Sequence, residues 1–105
     1  MTAKSSLLRF ESANPADGFL SCDDWVNIGV VCRFTTRELE VAVLLFEGRS
    51  RSRIARKLRI SAETVRVYID RLYRKLRVAS NVGFVLRIVR VHLSYIAKSA
   101  GHTKM

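Results

Sequence analysis

Cysteine and histidine are scarce in this sequence of 105 residues. These residues form the disulfides of small secreted proteins and bind zinc. Only Cys22, Cys32, His92 and His102 are present, and their spacing fits no zinc site. A disulfide scaffold of this length would use more cysteines than these two. We therefore predict free thiols in a reducing cytoplasm, with neither a metal nor another cofactor.

Long apolar runs are also missing. No segment approaches the ~20 apolar residues that span a bilayer, and residues 1–10 lack the long apolar segment and cleavage site of a signal peptide. With 49% hydrophobic residues, the composition still supplies enough apolar surface for one folded domain. The sequence predicts a cytoplasmic protein that has no membrane partner.

Acidic residues are few, since 9 Asp and Glu face 19 Lys and Arg and leave a net charge of +10. Residues 1–32 hold two of the basic side chains and four of the acidic ones, so the positive excess lies in residues 33–105. Such a field attracts polyanions, of which nucleic acid is the commonest for a small basic domain. The alternative is that the charge serves only solubility.

Signals for catalysis are absent from the sequence. It has no carboxylate pair at a pocket-like spacing, no glycine-rich phosphate loop and no histidine near a plausible nucleophile. We expect no enzyme and no catalytic residues.

The N-terminal third shows one helix signal. Residues 1–20 have no sustained periodicity, which predicts an irregular lead-in. Ser21 and Asp24 then resemble a helix cap and predict a short helix over residues 23–32. An extended conformation at residues 30–32 is the alternative, because β-branched residues favour strands.

Residues 35–47 carry sharper helix signals. Thr35 and Glu38 form a capping box, and Gly48 can take the left-handed conformation that ends a helix. Apolar residues lie on two opposite faces of this helix: Val41, Leu44 and Leu45 on one, and Leu39, Val43 and Phe46 on the other. We expect later helices to cover one face, and either residues 20–34, with Trp25 as the lid, or a partner chain to cover the other.

Two serines predict the next pair of helices. Ser50 can cap a helix that ends near Leu58, and Ser61 can cap a helix over Ala62–Leu76. The expected inward residues are Ile54, Ala55 and Leu58 in the first helix and Val65, Ile69, Leu72 and Leu76 in the second.

A last helix is predicted from Ser80 or Asn81 to about Ala97, followed by a frayed tail over residues 98–105. The predicted fold class is all-α. A tetra-helical helix-turn-helix domain occupies residues 34–97, and residues 1–33 form a short helical or irregular extension before it.

A long run of residues follows one family pattern: Phe34-Thr35-Thr36-Arg37-Glu38, Glu40-Val41, Leu44-Leu45, Gly48, Ser50, Ile54-Ala55-Arg56-Lys57-Leu58, Ile60-Ser61, Thr64-Val65-Arg66 and Arg74-Lys75-Leu76 followed by Val78. In these positions residues 34–89 resemble, without a gap, the DNA-binding domain of the LuxR or GerE-type bacterial transcription regulators. The resemblance implies a four-helix domain whose third helix, Ala62–Leu76, enters the DNA major groove and whose last helix forms dimers.

Opposite its buried stripe, the segment Ala62–Leu76 presents candidate base-reading residues. Arg66 can bind guanine O6 and N7 with two hydrogen bonds, and Val67 can contact a thymine methyl. Asp70 can accept a hydrogen bond from cytosine N4, or it can pair with Arg66 or Arg74 four residues away. We favour the intrahelical pairing.

Phosphate contacts that set position without reading sequence are predicted for Ser50, Arg51, Thr64, Tyr68, Arg71, Arg74 and Lys75. The free N–H groups at the helix start near Ser50 favour an anion there. The Tyr68 ring can equally pack at the core edge. Arg53 stands where the family usually has glutamate, so this helix gives up a capping carboxylate.

The last predicted helix also has two apolar faces: Val82, Val85, Leu86, Val89, Leu93 and Ile96 on one, and Phe84, Ile88, Val91 and Tyr95 on the other. A terminal helix covered on one side leaves its second face wet, which favours a symmetric homodimer. The alternative is packing against the N-terminal segment. Periodicity does not say which face pairs, and we assign the dimer interface to Phe84, Ile88, Val91 and Tyr95.

The favoured function is a sequence-specific DNA-binding transcription regulator. The family usually joins this domain to a receiver or ligand-binding domain, and about 33 preceding residues are too few to fold as either. A second hypothesis is a protein-interaction module that binds RNA polymerase or a larger regulator. A third is a protein that covers DNA without sequence preference. A ratio near one between its affinities for specific and random duplexes would reveal it.

Overall fold

The computed structural model describes residues 19–104 and, within them, the side chains of residues 19–98. The described part of the chain is all-helical, as predicted. Its helices are α1 (Cys22–Cys32), α2 (Thr36–Phe46), α3 (Arg51–Leu58), α4 (Ala62–Leu76) and α5 (Asn81–Lys104). None of the described helices combines the length and the apolar character that crossing a membrane requires.

Hydroxyl side chains begin these helices at the predicted places. Ser21, Thr35, Ser50 and Ser61 each accept a hydrogen bond from the backbone N–H three residues later. At Ser21 and Thr35 the third residue is acidic and its carboxylate accepts from the cap residue's own N–H, which completes a capping box. Each such cap contributes about 1 kcal/mol to its helix. Segment 30–32 therefore continues α1 and is not extended.

Three helices end where the sequence predicted, at Cys32, Leu58 and Leu76, but the backbone conformation that follows differs between two kinds of helix end. Gly48 follows α2 with a φ of +86°, as predicted. However, α1, α3 and α4 are followed by Arg33, Arg59 and Arg77, each with a φ of 58° to 60°. A non-glycine residue in this conformation costs about 1–2 kcal/mol.

The residue after each of these arginines compensates for that cost. Phe34, Ile60 and Val78 donate their backbone N–H to a carbonyl in the last turn of the preceding helix, and their side chains pack against the core. This hydrophobic contact beyond the cap is the usual companion of a Schellman turn. The turns therefore bury an apolar side chain as they redirect the chain.

Helix α2 is the centre of the core. Val41, Ala42 and Leu44 have no exposed surface, and α3 and α4 cover their side of the helix. On the opposite side α1 covers α2. The Trp25 ring meets the Phe46 ring edge-on at 5.4 Å between centroids. This confirms that the chain's own residues 20–34 cover the second face, with Trp25 as the lid.

A close approach of α1 to α2 depends on Gly29. A Cβ atom at this position would lie 3.1 Å from Leu39 Cδ2, which is tighter than ordinary packing. The small residue lets the α1 backbone rest on the Leu39 side chain, and Trp25 can then reach Phe46.

The inward stripes of the helix pair are confirmed. Ile54, Ala55 and Leu58 of α3 are buried, and so are Val65, Ile69, Leu72 and Leu76 of α4. With these residues turned inward, the charged residues of both helices are left on the outside.

The last helix is longer than predicted. Helix α5 continues to Lys104, so its predicted end at Ala97 was wrong. Gly101 alone does not stop the helix, because a glycine in a helix interior costs only about 1 kcal/mol and no proline follows. The irregular lead-in over residues 1–18 and the final residue of the tail lie outside the described residues.

Candidate nucleic-acid interface

The outer face of α4 is open. Arg66, Val67 and Asp70 all lie on it, and Val67 leaves 44% of its surface exposed. These side chains point away from the buried stripe at Val65 and Ile69, which fixes the rotation of the helix. The candidate base-reading residues are therefore together and unobstructed within the described part of the protomer.

The first turn of α4 is held by a hydroxyl pair. Ser61 Oγ accepts from the Thr64 N–H at 3.0 Å, and the two hydroxyl oxygens lie 2.8 Å apart. Thr64 is half-buried. The turn that precedes Arg66 and Val67 is thus fixed before any ligand arrives, which lowers the entropic cost of binding.

The predicted pairing of Asp70 is absent. Among the described residues no ion pair joins Asp70 to Arg66 or Arg74, so this prediction was wrong. The carboxylate acts on Tyr73 instead. Burial raises the pKa of Tyr73, the charge of Arg51 lowers it and the charge of Asp70 raises it further. Asp70 and Arg66 consequently remain available to ligands.

Arg71 and Tyr68 form a contact that the sequence did not predict. The Arg71 guanidinium carbon lies 5.6 Å from the centre of the Tyr68 ring, a cation–π distance. The ring packs against the core edge, as one of the two alternatives for Tyr68 proposed. This contact holds the Arg71 side chain along the flank of α4. Arg74 is exposed near the C-terminal end of the same outer face that carries Val67.

The start of α3 lies beside this surface. Arg51 is exposed, and its effect on the Tyr73 pKa places its charge near α4. The Ser50 hydroxyl accepts from the Arg53 N–H at 3.3 Å and lies 3.2 Å from the Ser52 hydroxyl. Helix α3 therefore forms without the glutamate that a reciprocal cap would need at Arg53.

Positive charge surrounds the whole helix pair. Between Arg51 and Leu76 the sequence holds nine basic residues and two acidic ones. The candidate set missed several exposed members of this group on α3 and at its end: Arg53, Arg56, Lys57 and Arg59. Their charge was visible in the sequence, but charge alone does not distinguish a contact from a solvated side chain.

Lys75 differs from the other basic residues of α4 because its ammonium makes hydrogen bonds to the end of α1 and to α2. Its ammonium donates to Glu38 Oε1 at 2.6 Å and to the Arg33 carbonyl oxygen at 2.7 Å. It thereby joins the end of α1, the first turn of α2 and the last turn of α4. We remove Lys75 from the candidate phosphate contacts, because its ammonium already satisfies a buried carboxylate.

Glu38 is the buried partner in this contact, with 3% of its side chain exposed. Desolvation by burial raises the pKa of Glu38, but hydrogen bonds from Lys75 and Thr35 and the charge of Lys75 outweigh it, so the net pKa is lowered. The sequence identified Glu38 only as a cap. The sequence did contain one indication. A glutamate on a helix with two buried faces has a good chance of being buried, and a buried carboxylate needs a cation beside it.

Two of the four residues predicted to form a dimer interface on α5 are buried within the protomer. Phe84 and Ile88 have no exposed surface because they pack into the protomer core, so they cannot contact a second copy. Val91 is half-buried and Tyr95 is 41% exposed. The opposite face is the open one: Val82, Leu86, Leu93 and Ile96 are exposed and Val89 is half-buried.

A comparison with known families gives one finding. A family model described as bacterial regulatory proteins, luxR family (GerE) matches residues 33–88, slightly over half of the chain. The matched segment contains α2, α3 and α4 and the first turns of α5. No curated protein and no solved structure matches the chain.

Proposed function

Because this chain belongs to the LuxR family of bacterial regulatory proteins, which are DNA-binding transcription regulators, we propose that it binds duplex DNA with sequence preference through α4. The observation that carries the proposal is the open face of α4, where Arg66 and Val67 stand exposed above a rigid buried stripe. Residues 34–97 form the DNA-binding unit in this proposal. The protein acts in the cytoplasm.

In the proposed complex α4 lies in the major groove. Arg66 donates two hydrogen bonds to guanine O6 and N7, and Val67 contacts a thymine methyl. Asp70, which has no ion-pair partner among the described residues, accepts from cytosine N4 on the same face. These three groups are chemically different, so together they discriminate among base pairs.

Phosphate contacts set the position of α4 in the groove. Arg71 and Arg74 flank the base-reading face, and Arg51 approaches from the start of α3. In this proposal the hydroxyl groups of Ser50, Thr64 and Tyr68 supply further hydrogen bonds to phosphate oxygens. Such contacts bind every sequence alike and make affinity fall with salt.

The open stripe of α5 supports a symmetric dimer. Val82, Leu86, Val89, Leu93 and Ile96 recur at alternating steps of four and three residues, the spacing of a helix–helix seam. Large exposed apolar patches are rare on monomers. We therefore propose that the same stripe of a second copy of the chain packs against this one. Two α4 helices then meet half-sites about one DNA turn, or ~34 Å, apart.

Replacing Arg66 and Arg71 separately tests the division between base and phosphate contacts. Arg66→Ala is expected to lose about 1–3 kcal/mol on the preferred site and little on random duplex. Arg71→Ala is expected to weaken binding to both duplexes by the same factor and to reduce the salt dependence. The measurement is fluorescence anisotropy with a site selected from a random duplex pool.

Two results would count against this function. If both variants lost preference equally, α4 would not read bases as assigned. If the full chain ignored duplex DNA even in dilute salt, a module that binds RNA polymerase or a larger regulator would be the better description.

The dimer seam has its own test. Leu86→Asp places a charge in the middle of the open stripe and is expected to convert the dimer to a monomer in sedimentation equilibrium. Ser94→Asp puts the same carboxylate on the same helix, exposed but off the stripe, and should leave the dimer intact. A wild-type chain that is monomeric at high concentration would refute the seam without affecting the α4 assignment.

A further inference from the structure

A groove of about 330 Å³ lies between α1 and α5, away from the α4 face. Val31 of α1 forms one wall, and Val91 and Tyr95 of α5 form apolar surface opposite it. Its volume falls at the small end of the range that binds small molecules, about 300–1,000 Å³. The groove is therefore large enough for a compact ligand and too small for a folded partner.

Cations border this apolar surface. Arg87, Arg90 and Lys98 line the groove, and no acidic side chain does so among the described residues. Arg87 and Arg90 are three residues apart, so they are neighbours on one side of α5. Lys98 lies eleven residues beyond Arg87, about 16 Å along the helix axis. The two guanidinium groups concentrate positive charge at one end of the groove, with the single ammonium of Lys98 toward the other, so the guanidinium end complements the anionic end of an apolar molecule.

We propose that this groove binds a small apolar carboxylate. The aliphatic or aromatic body contacts Val31, Val91 and the Tyr95 ring, and the carboxylate accepts hydrogen bonds from Arg87 and Arg90. Guanidinium groups suit this role because their planar N–H pairs match the two carboxylate oxygens. A bound ligand bridges α1 to α5 and stabilises the folded chain by mass action.

The site is distinct from both surfaces used above. The seam residues Val82, Leu86 and Leu93 do not line the groove, and α4 contributes nothing to it. The proposal therefore does not depend on DNA binding, and either assignment can fail without the other.

Calorimetric titration of the full chain with octanoate tests the proposal. We expect one saturable site per chain and changes at Val31 and Tyr95 in NMR spectra. Acetate, which keeps only the head group, and octanol, which keeps only the tail, should each bind at least about ten-fold more weakly. Equal binding of octanol and octanoate would overturn the role of the arginines.

Matched variants separate the groove from general effects on α1. Val31→Asp puts a negative charge on the groove wall and should abolish octanoate binding. Val30→Asp changes the neighbouring residue, which is 73% exposed and does not line the groove, and should leave binding unchanged. Arg90→Gln should weaken octanoate about ten-fold or more while leaving the weak octanol binding unaltered.

Three outcomes would overturn the proposal. One is the absence of saturable octanoate binding, and another is equal loss of binding in the Val31 and Val30 variants. The third is an NMR contact of Val31 and Tyr95 with residues 1–18 in the free chain together with no octanoate binding, which would make the chain's own N-terminal segment the occupant.

Discussion

Trp25→Ala should lower the free energy of unfolding by about 3–5 kcal/mol, the usual cost of removing a buried tryptophan. Trp25 is 6% exposed and packs edge-on against Phe46. Its removal leaves a cavity between α1 and α2 and uncovers the second apolar face of α2, where Leu39 and Val43 lie. The loss combines the missing apolar contact with the cavity that the backbone cannot close.

Chemical denaturation followed by circular dichroism measures this loss, because Trp25 is the only tryptophan and its fluorescence disappears in the variant. Val30→Ala is the matched control on the same helix, since Val30 is 73% exposed and should change stability by less than about 0.5 kcal/mol. A cost below about 1 kcal/mol for Trp25→Ala would mean that α1 is not a fixed part of the core.

Lys75→Met should cost about 2–3 kcal/mol of unfolding free energy. Methionine keeps the apolar stem of lysine but leaves the buried Glu38 carboxylate with only its cap hydrogen bonds, and breaking a buried pair by removing one partner costs ~3–5 kcal/mol. We expect the lower value because 34% of the Lys75 side chain is exposed, and solvent screens part of its interaction.

Arg37→Met is the matched control for this contact. Arg37 pairs with Glu40 at 3.0 Å on the same helix, α2, but the Arg37 side chain is 42% exposed. Removing it should cost less than about 1 kcal/mol, as for ordinary surface pairs. Equal losses in the two variants would show that burial of Glu38 does not strengthen the Lys75 contact.

Acidification supplies a second readout of the Glu38 contact. The lowered pKa of Glu38 in the folded chain means that its stabilisation is present above the unfolded value of about 4.3 and is lost as the pH falls through the folded value. The stability difference between wild type and Lys75→Met should therefore be fully present near neutral pH and shrink as the pH falls below about 4. A difference that grew on acidification would contradict this account.

Much of the fold follows from local chemistry that a sequence displays. The caps at Ser21, Thr35, Ser50 and Ser61 were predictable because a serine or threonine just before an apolar helical pattern commonly accepts a hydrogen bond from a backbone N–H of the first turn. The rotation of α4 was predictable as well. Its four buried residues repeat at helical spacing with only polar neighbours opposite, apart from Val67, so a single face could point inward.

The partners of charged side chains were less predictable. Asp70 has two arginines at helical spacing and pairs with neither within the described residues, whereas Lys75 pairs with Glu38, which is 37 residues away in the chain. Spacing along one helix gives only the local options. A contact between helices depends on how their axes cross, which the periodicity of each helix does not contain.

The sequence by itself determined the helices, their caps, the basic outer surface of α3 and α4, and the open side of α4. Only the tertiary structure decided that Phe84 and Ile88 face the protomer core while Leu86 and Leu93 face outward, that Lys75 holds Glu38, and that arginines end three helices in the left-handed conformation. The reason is physical. Periodicity shows which residues share a face of a helix. When two faces are equally apolar, the packing of the neighbouring helices determines which face is buried.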